Sequence, residues 1–274
     1  VSAAARALDE RRLGALLRGE PLGGRIVVRD SIGSTNDILR DLAAEGAAEG
    51  TVAMAEQQTA GRGRLGRAWH SPRGLGLFVS VLFRPPGPVI ELTRWTLGAA
   101  VAACDACRRL TGADVTIAWP NDLVWEGRKL GGVLAETRSS AGAASDLVVG
   151  AGLNVGHAIE DFPHELSSSA TSLRLAAPGR APEREELAAA YLRELGGIAR
   201  ALHDGAWSTV ARRWEHLAPG ATGRPVRVVS RGGESDEYQG TTSGLDEVGA
   251  LRVRRTDGRI VSVRLVESIR PLEG

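Results

Sequence analysis

The residues best suited to chemistry are cations set among glycines. Gly61-Arg62-Gly63-Arg64-Leu65-Gly66-Arg67 interleaves three guanidiniums with flexible backbone, which suits an anion gripped by charged forks and backbone N–H groups together. No acidic residue stands between Gln57 and Ile90, and Arg73 and Arg84 share that window. Gly61–Gly66 spells G-x-G-x-x-G, but a dinucleotide fingerprint also needs a helix at the third glycine and an acidic residue about 20 positions on. Arg67–Gly74 reads as loop and the region around position 80 has no Asp or Glu, so that assignment fails. A triphosphate P-loop fails too, because no G-K-[ST] closes the run. By itself such a run is as readily a solvated basic loop.

A second feature concerns lysine. Of 34 basic residues, 33 are Arg and one, Lys129, is Lys. The two are nearly interchangeable on a solvated surface, so a lone Lys points to a need for a compact ammonium or a titratable amine. It lies one short hairpin after Trp119-Pro120-Asn121-Asp122, a rigid turn that sets an amide and a carboxylate at a strand end. Gly150-Ala151-Gly152-Leu153-Asn154 places glycines at alternating strand positions, where a flat ligand can approach the backbone. Ser34 and Asp37 have the spacing of a capping box, which explains Ser34 without any ligand.

The elements that must position these residues follow from periodicity. A helix is predicted over Ala3–Leu17, a strand over Ile26–Val28, a helix opening at Ser34, and strands over Thr51–Gln57 and Leu77–Phe83. The Ala-rich stretch Ile90–Leu110 reads as a buried helix. Val115–Ala118, Leu123–Trp125, Lys129–Arg138 and Asp146–Val155 read as strands, and Glu183–His203 and Ala206–Leu217 as amphipathic helices. After Pro219-Gly220 the texture becomes that of a small all-β barrel. Pro225–Ser230, Glu237–Thr242, Ala250–Arg254 and Ile260–Val266 alternate between turns such as Arg231-Gly232-Gly233. A domain boundary is placed near Leu217–Ala221.

At 274 residues, 43% apolar and 24% charged, the chain has the make-up of a globular protein with one main domain and at most a small second one. A net charge of +1 denies the whole molecule a polyanion-binding field, so any phosphate site must be local. Apolar runs such as Leu97–Cys104 fall far short of the roughly 20 residues a membrane span needs, and no signal peptide is read. The expectation is a soluble, cytoplasmic protein. Cys104 and Cys107 spell C-x-x-C inside an apolar helix and read as buried small hydrophobes. The five His have no metal-ligand spacing, so no protein metal site is expected. Trp95, Trp125, Trp207 and Trp214 read as core or interface anchors, and Glu160, Asp161 and Glu165 as solvated.

In order and spacing, Ser34-Thr35-Asn36, Glu56–Trp69, Trp119–Leu123, Arg128–Leu134 and Gly150–Asn154 resemble successive signature blocks of the biotin protein ligase family. The resemblance is strong over about residues 30–155 and implies an α+β catalytic domain of the class II aminoacyl-tRNA synthetase-like kind, with a mainly antiparallel sheet, over residues 1–218. Residues 219–274 would form an SH3-like barrel. The implied activity joins biotin to ATP as biotinyl-5′-adenylate with release of pyrophosphate, then passes the biotinyl group to a lysine of a biotin carboxyl carrier domain of an acyl-CoA carboxylase. Mg²⁺ would accompany ATP, since phosphate oxygens are its usual ligands.

By the same resemblance Arg62, Arg64, Lys129 and Asp122 are the catalytic candidates, with Asp122 either orienting Lys129 or helping to deprotonate the carrier amine. Ser34, Thr35, Asn36 and Gln58 match contacts to the ureido end of biotin; Gly61, Arg62, Gly63, Arg64, Lys129, Gly132, Leu134, Gly150 and Gly152 complete the biotin site. Arg62, Arg64, Arg67, Trp69, Lys129 and Asn154 would face the nucleotide. Ala118 stands where many members have Lys, and Val155–Leu173 lacks the Trp that some stack on adenine. With only 33 residues before the first block, the ligase-only type without a DNA-binding segment is expected, as a monomer or weak homodimer. The arginine loop is expected to be mobile when empty. The alternatives weighed are lipoate or octanoate transfer on a related fold, and a non-catalytic nucleic-acid-binding module whose affinity would fall steeply with salt.

Overall fold

The computed structural model describes residues 7–85, 92–140, 143–229, 237–264 and 268–271. The first helix, α1 (Glu10–Leu16), starts later than predicted, because the Asp9 carboxylate accepts hydrogen bonds from the N–H groups of Arg11 and Arg12 and caps it there. The predicted residues 3–6 of that helix lie outside the described residues.

The main sheet has seven strands. They are β1 (Ile26–Ile32), β2 (Val52–Gln58), β3 (Gly76–Phe83), β4 (Thr116–Ala118), β5 (Asp122–Trp125), β6 (Arg128–Ser140) and β7 (Ala143–Asn154), in the order β1-β2-β3-β7-β6-β5-β4. Only β1 and β2 are parallel, joined through α2 (Thr35–Ala44); every other pair is antiparallel. Alternation along the strands sorts side chains to two faces. Val52, Met54, Val81, Phe83, Leu147 and Val149 join the main core with α3 (Leu92–Thr111), α5 (Arg184–His203) and α6 (Trp207–Leu217). Ala53, Leu82 and Val148, one position out of phase, pack under Leu39 and Ala43 of α2. With both faces covered, β3 is buried along its whole length.

Position 80 on β3, 150 and 152 on β7, and 132, 134 and 136 on β6 share the α2 face, which therefore carries the candidate residues. The short α4 (Leu173–Ala176) follows the sheet. Cys104 and Cys107 are buried free thiols, as the sequence suggests, and burial pushes the Cys104 thiol up to about 12. Trp95, Trp207 and Trp214 are buried core residues, and Trp125 packs half-buried on the same core.

A second sheet of five antiparallel strands has the order β11-β10-β9-β8-β12, from β8 (Thr222–Val229), β9 (Tyr238–Leu245), β10 (Leu251–Arg255), β11 (Ile260–Val263) and β12 (Ser268–Pro271). The sequence predicts four strands there. The run read as Ile260–Val266 ends at Val263, and β12 closes onto β8, a pairing across the chain that local alternation does not reveal. Ser230, the Arg231-Gly232-Gly233 turn, Leu265 and Val266 lie outside the described residues. Val226, Val228, Val253 and Val263 form this sheet's small core, and Trp119 packs against both it and the main core.

Candidate active site

One cavity of about 570 Å³ opens on the α2 face of the main sheet. At one end lie polar groups from α2 and β2. Ser34 caps α2 by accepting from the Asn36 N–H. The predicted capping box does not form: the Ser34 hydroxyl takes the N–H of Asn36 and not that of Asp37, and the Asp37 carboxylate reaches across to Arg62, whose two terminal nitrogens donate to it at 2.9 and 2.7 Å. That guanidinium holds the Asp37 carboxyl below its usual range and in turn has its own pKa raised, chiefly by Asp37. Glu136 lies 3.5 Å from the same guanidinium. Asn36 donates from its amide to Glu136 at 2.7 Å, and Gln58 accepts from the Thr35 N–H at 2.8 Å while its own amide donates to Ser71.

At the other end are the cations. Lys129 Nζ sits 2.7 Å from an Asp122 oxygen and 5.5 Å from the centre of the Trp69 ring. The turn that presents Asp122 contains a cis Trp119–Pro120 bond and is pinned to β6, where the Val133 N–H donates to the Asn121 carbonyl at 3.1 Å. Arg64 reaches into the cavity with one terminal nitrogen buried and unpartnered, and burial lowers its pKa against the pull of Asp122. Trp69 has a buried, unpartnered indole N–H as well. Buried donors of this kind are costly unless a ligand satisfies them. The glycine–arginine run folds as a closed hairpin: Gly63 N–H donates to Arg67 O at 2.7 Å and Trp69 N–H to Gly61 O at 2.9 Å. Leu65 at its tip is exposed, with φ of 59°.

Of the predicted site residues, Ser34, Thr35, Asn36, Gln58, Arg62, Gly63, Arg64, Arg67, Trp69, Asp122, Lys129, Gly132, Leu134, Gly150, Gly152 and Asn154 all line this cavity. Gly61 does not; it is buried against Ser71 and the Trp69 carbonyl, where a Cβ would fall 2.7 Å from the Ser71 hydroxyl. Gly150 and Gly152 line the cavity, and the space their missing side chains leave is shared with the protein itself. A Cβ on Gly150 would lie 2.3 Å from Asn36 Oδ1 and one on Gly152 2.6 Å from Trp69 Nε1, so these glycines seat the protein's own side chains. Asn154 lines the cavity with its amide donated to the Thr171 carbonyl at 2.9 Å.

Sequence reading missed the segment after Asn154. It turns back over the cavity with Phe162, Leu166, Ser169 and Ala170 in the lining. Lys129 ties it down by main chain alone: its N–H donates to Ser169 O at 2.7 Å and its carbonyl accepts from Thr171 N–H at 2.9 Å. His157 beneath is fully buried, its ring stacked on Phe162 at 4.8 Å. The buried Ser80 and the half-buried Asp37 and Glu136 were also missed as partners of the site, since nothing local in the sequence sets them beside it. Among the described residues no group of His, Cys, Asp or Glu has the geometry to hold a metal ion, and no helix is long and apolar enough to cross a membrane.

This α+β frame and its cation-lined cavity belong to a known family. The Biotin/lipoate A/B protein ligase family profile matches residues 28–154, and the chain is a member of that family. More particularly, it is 40% identical to the Biotin--[acetyl-CoA-carboxylase] ligase of Mycobacterium tuberculosis over 194 residues, 69% of each chain. It is 32% identical to the Bifunctional ligase/repressor BirA of Bacillus subtilis over 251 residues, 92% of this chain and 76% of the relative. Among solved structures, the biotin protein ligase of Aquifex aeolicus in complex with biotin and ATP superposes with a TM-score of 0.77 at 25% identity, covering 91% of this chain and 100% of that one.

Proposed function

We propose that the chain is a biotin protein ligase, which activates biotin with ATP as biotinyl-5′-adenylate and transfers the biotinyl group to a lysine of a biotin carboxyl carrier protein. The observation that carries this reading is that Arg62, Arg64 and Lys129 line one cavity together with a row of amide and hydroxyl groups. Attack of a carboxylate on the α-phosphorus brings two anions together, and fixed cations stabilise charge as it develops there. Arg62 and Arg64 supply forks and Lys129 a point charge that Asp122 orients. Ser34, Thr35, Asn36 and Gln58 take the ureido end, and Phe162 offers the nucleobase a ring. Mg²⁺ would arrive on ATP, bound mainly by phosphate oxygens and water.

The relatives' names favour acetyl-CoA carboxylase as the source of the carrier domain. Residues 1–218 are taken as a class II synthetase-like catalytic domain and 219–274 as an SH3-like one, on the five-stranded sheet and its separate valine core. Mixing the protein with biotin, ATP and Mg²⁺ should yield the acyl-adenylate by mass, and a carrier domain added afterwards should gain one biotinyl group. If lipoate supports both steps and biotin supports neither, the reading fails.

A further inference from the structure

The polar end of the cavity rests on a chain of hydrogen bonds that begins outside it. Glu136 and Ser80 are not among the cavity-lining residues, yet both touch residues that are. A carboxylate only accepts, so the Asn36 amide must turn its NH₂ toward Glu136, 2.7 Å away, and its oxygen toward Ser80 Oγ at 2.6 Å. The Ser80 proton then goes to Asn36. Ser80 Oγ and Thr35 Oγ1 are 2.7 Å apart, and with the Ser80 proton in use the Thr35 hydroxyl must supply that bond. Thr35 therefore has no proton left for Gln58 Oε1, 3.1 Å away. Gln58 is fixed independently, its NH₂ on Ser71, whose own hydroxyl donates to Trp69 O, and its oxygen on the Thr35 N–H. Thr35 Oγ1 and Gln58 Oε1 are both left with lone pairs to offer.

We propose that Glu136 and Ser80 are positioning residues that set the hydrogen-bonding sense of the cavity's polar end, making Thr35 and Gln58 acceptors for the N–H groups of a cyclic urea. This rests on the ligase reading above and deepens it. A dithiolane ring has no N–H to donate, so the same arrangement disfavours lipoate. In Glu136→Gln the new amide can donate to Asn36 Oδ1, the Asn36 amide can turn over, and the protons along Ser80 and Thr35 can reverse onto Gln58 Oε1. Ser80→Ala frees the Thr35 proton to close the same acceptor without touching Arg62.

The test is calorimetric titration of the unaltered protein and both variants with biotin, with biotin methylated on a ureido nitrogen, and with ATP. Each variant should bind biotin about tenfold or more weakly, the size expected for losing a matched buried hydrogen bond. The preference for biotin over its N-methyl derivative should shrink in both, Ser80→Ala should bind ATP as the unaltered protein does, and the double variant should be no weaker than the worse single one. A purely structural role would depress both biotin ligands alike and leave the preference unchanged. Thermal melting of the near-isosteric Glu136→Gln protein establishes that it folds. Biotin binding by the unaltered protein alongside variants within twofold of it overturns the proposal alone. An unaltered protein that ignores biotin overturns the ligase reading and the proposal with it.

Discussion

Arg62 and Lys129 are both held by carboxylates, but differently. Arg62 is gripped by two oxygens of Asp37 with Glu136 near by, whereas Lys129 has one oxygen of Asp122 and the face of Trp69. On the ligase reading each would exchange its carboxylate for an incoming anion. Lys129→Ala or Arg62→Ala should each slow adenylate formation about 10²–10³-fold, the usual effect of removing one donor to a developing charge. Biotin-dependent pyrophosphate exchange measures this, and unchanged exchange in both variants would refute the roles. His157 supplies a pH dependence. Burial, helped by His70, pushes its pKa down to about 4, so between that value and the ordinary 6.5 the unfolded chain binds a proton that the folded one refuses. Stability should therefore be complete above neutrality and fall with acidification, by about 2 kcal/mol between pH 7 and pH 5 from this group alone. Denaturant unfolding at the two pH values should show the loss, and His157→Phe should remove that share of it.

At the level of elements, the site is built where α2 lies on the sheet, and the fit depends on residues without side chains. Gly150→Ala would press a methyl into Asn36, costing about 1–3 kcal/mol as an overpacked position and weakening biotin binding through the displaced amide. Melting and a biotin titration together check this; normal values for both would mean that α2 can retreat. The strands of the main sheet were legible because alternation and glycine turns are local signals, and the signature blocks fall on them, on their connecting turns or, for Ser34–Asn36, on the start of α2. The partners of those blocks were not legible. Asn36 and Glu136 are 100 residues apart, and only the antiparallel pairing of β6 with β7 beneath α2 brings them together. The strap over the cavity escaped for another reason: its two short 3₁₀ turns, Ile159–Asp161 and His164–Leu166, have no periodicity to read.

For the whole molecule, a buried ion pair joins parts distant in the chain. Arg184 at the start of α5 lies 2.8 Å from Glu56 on β2, each side chain only 7% exposed, and Glu56 also accepts from the Leu8 N–H, while Glu185 accepts from that of Asp9. Arg184→Ala would strand the Glu56 carboxylate and should cost about 3–5 kcal/mol in urea unfolding; a loss below about 1 kcal/mol would show that water reaches it. The second sheet is tied in through Trp119, which precedes the Asn121–Asp122 turn and leans on the valine core of that sheet. Lys129 closes a last link. Because its own peptide groups, and not its side chain, lace the strap to the sheet, the strap cannot swing open to admit a nucleotide unless both laces break or the ammonium rides along with it. The path by which a nucleotide would enter and the placement of the Lys129 ammonium are thus mechanically linked.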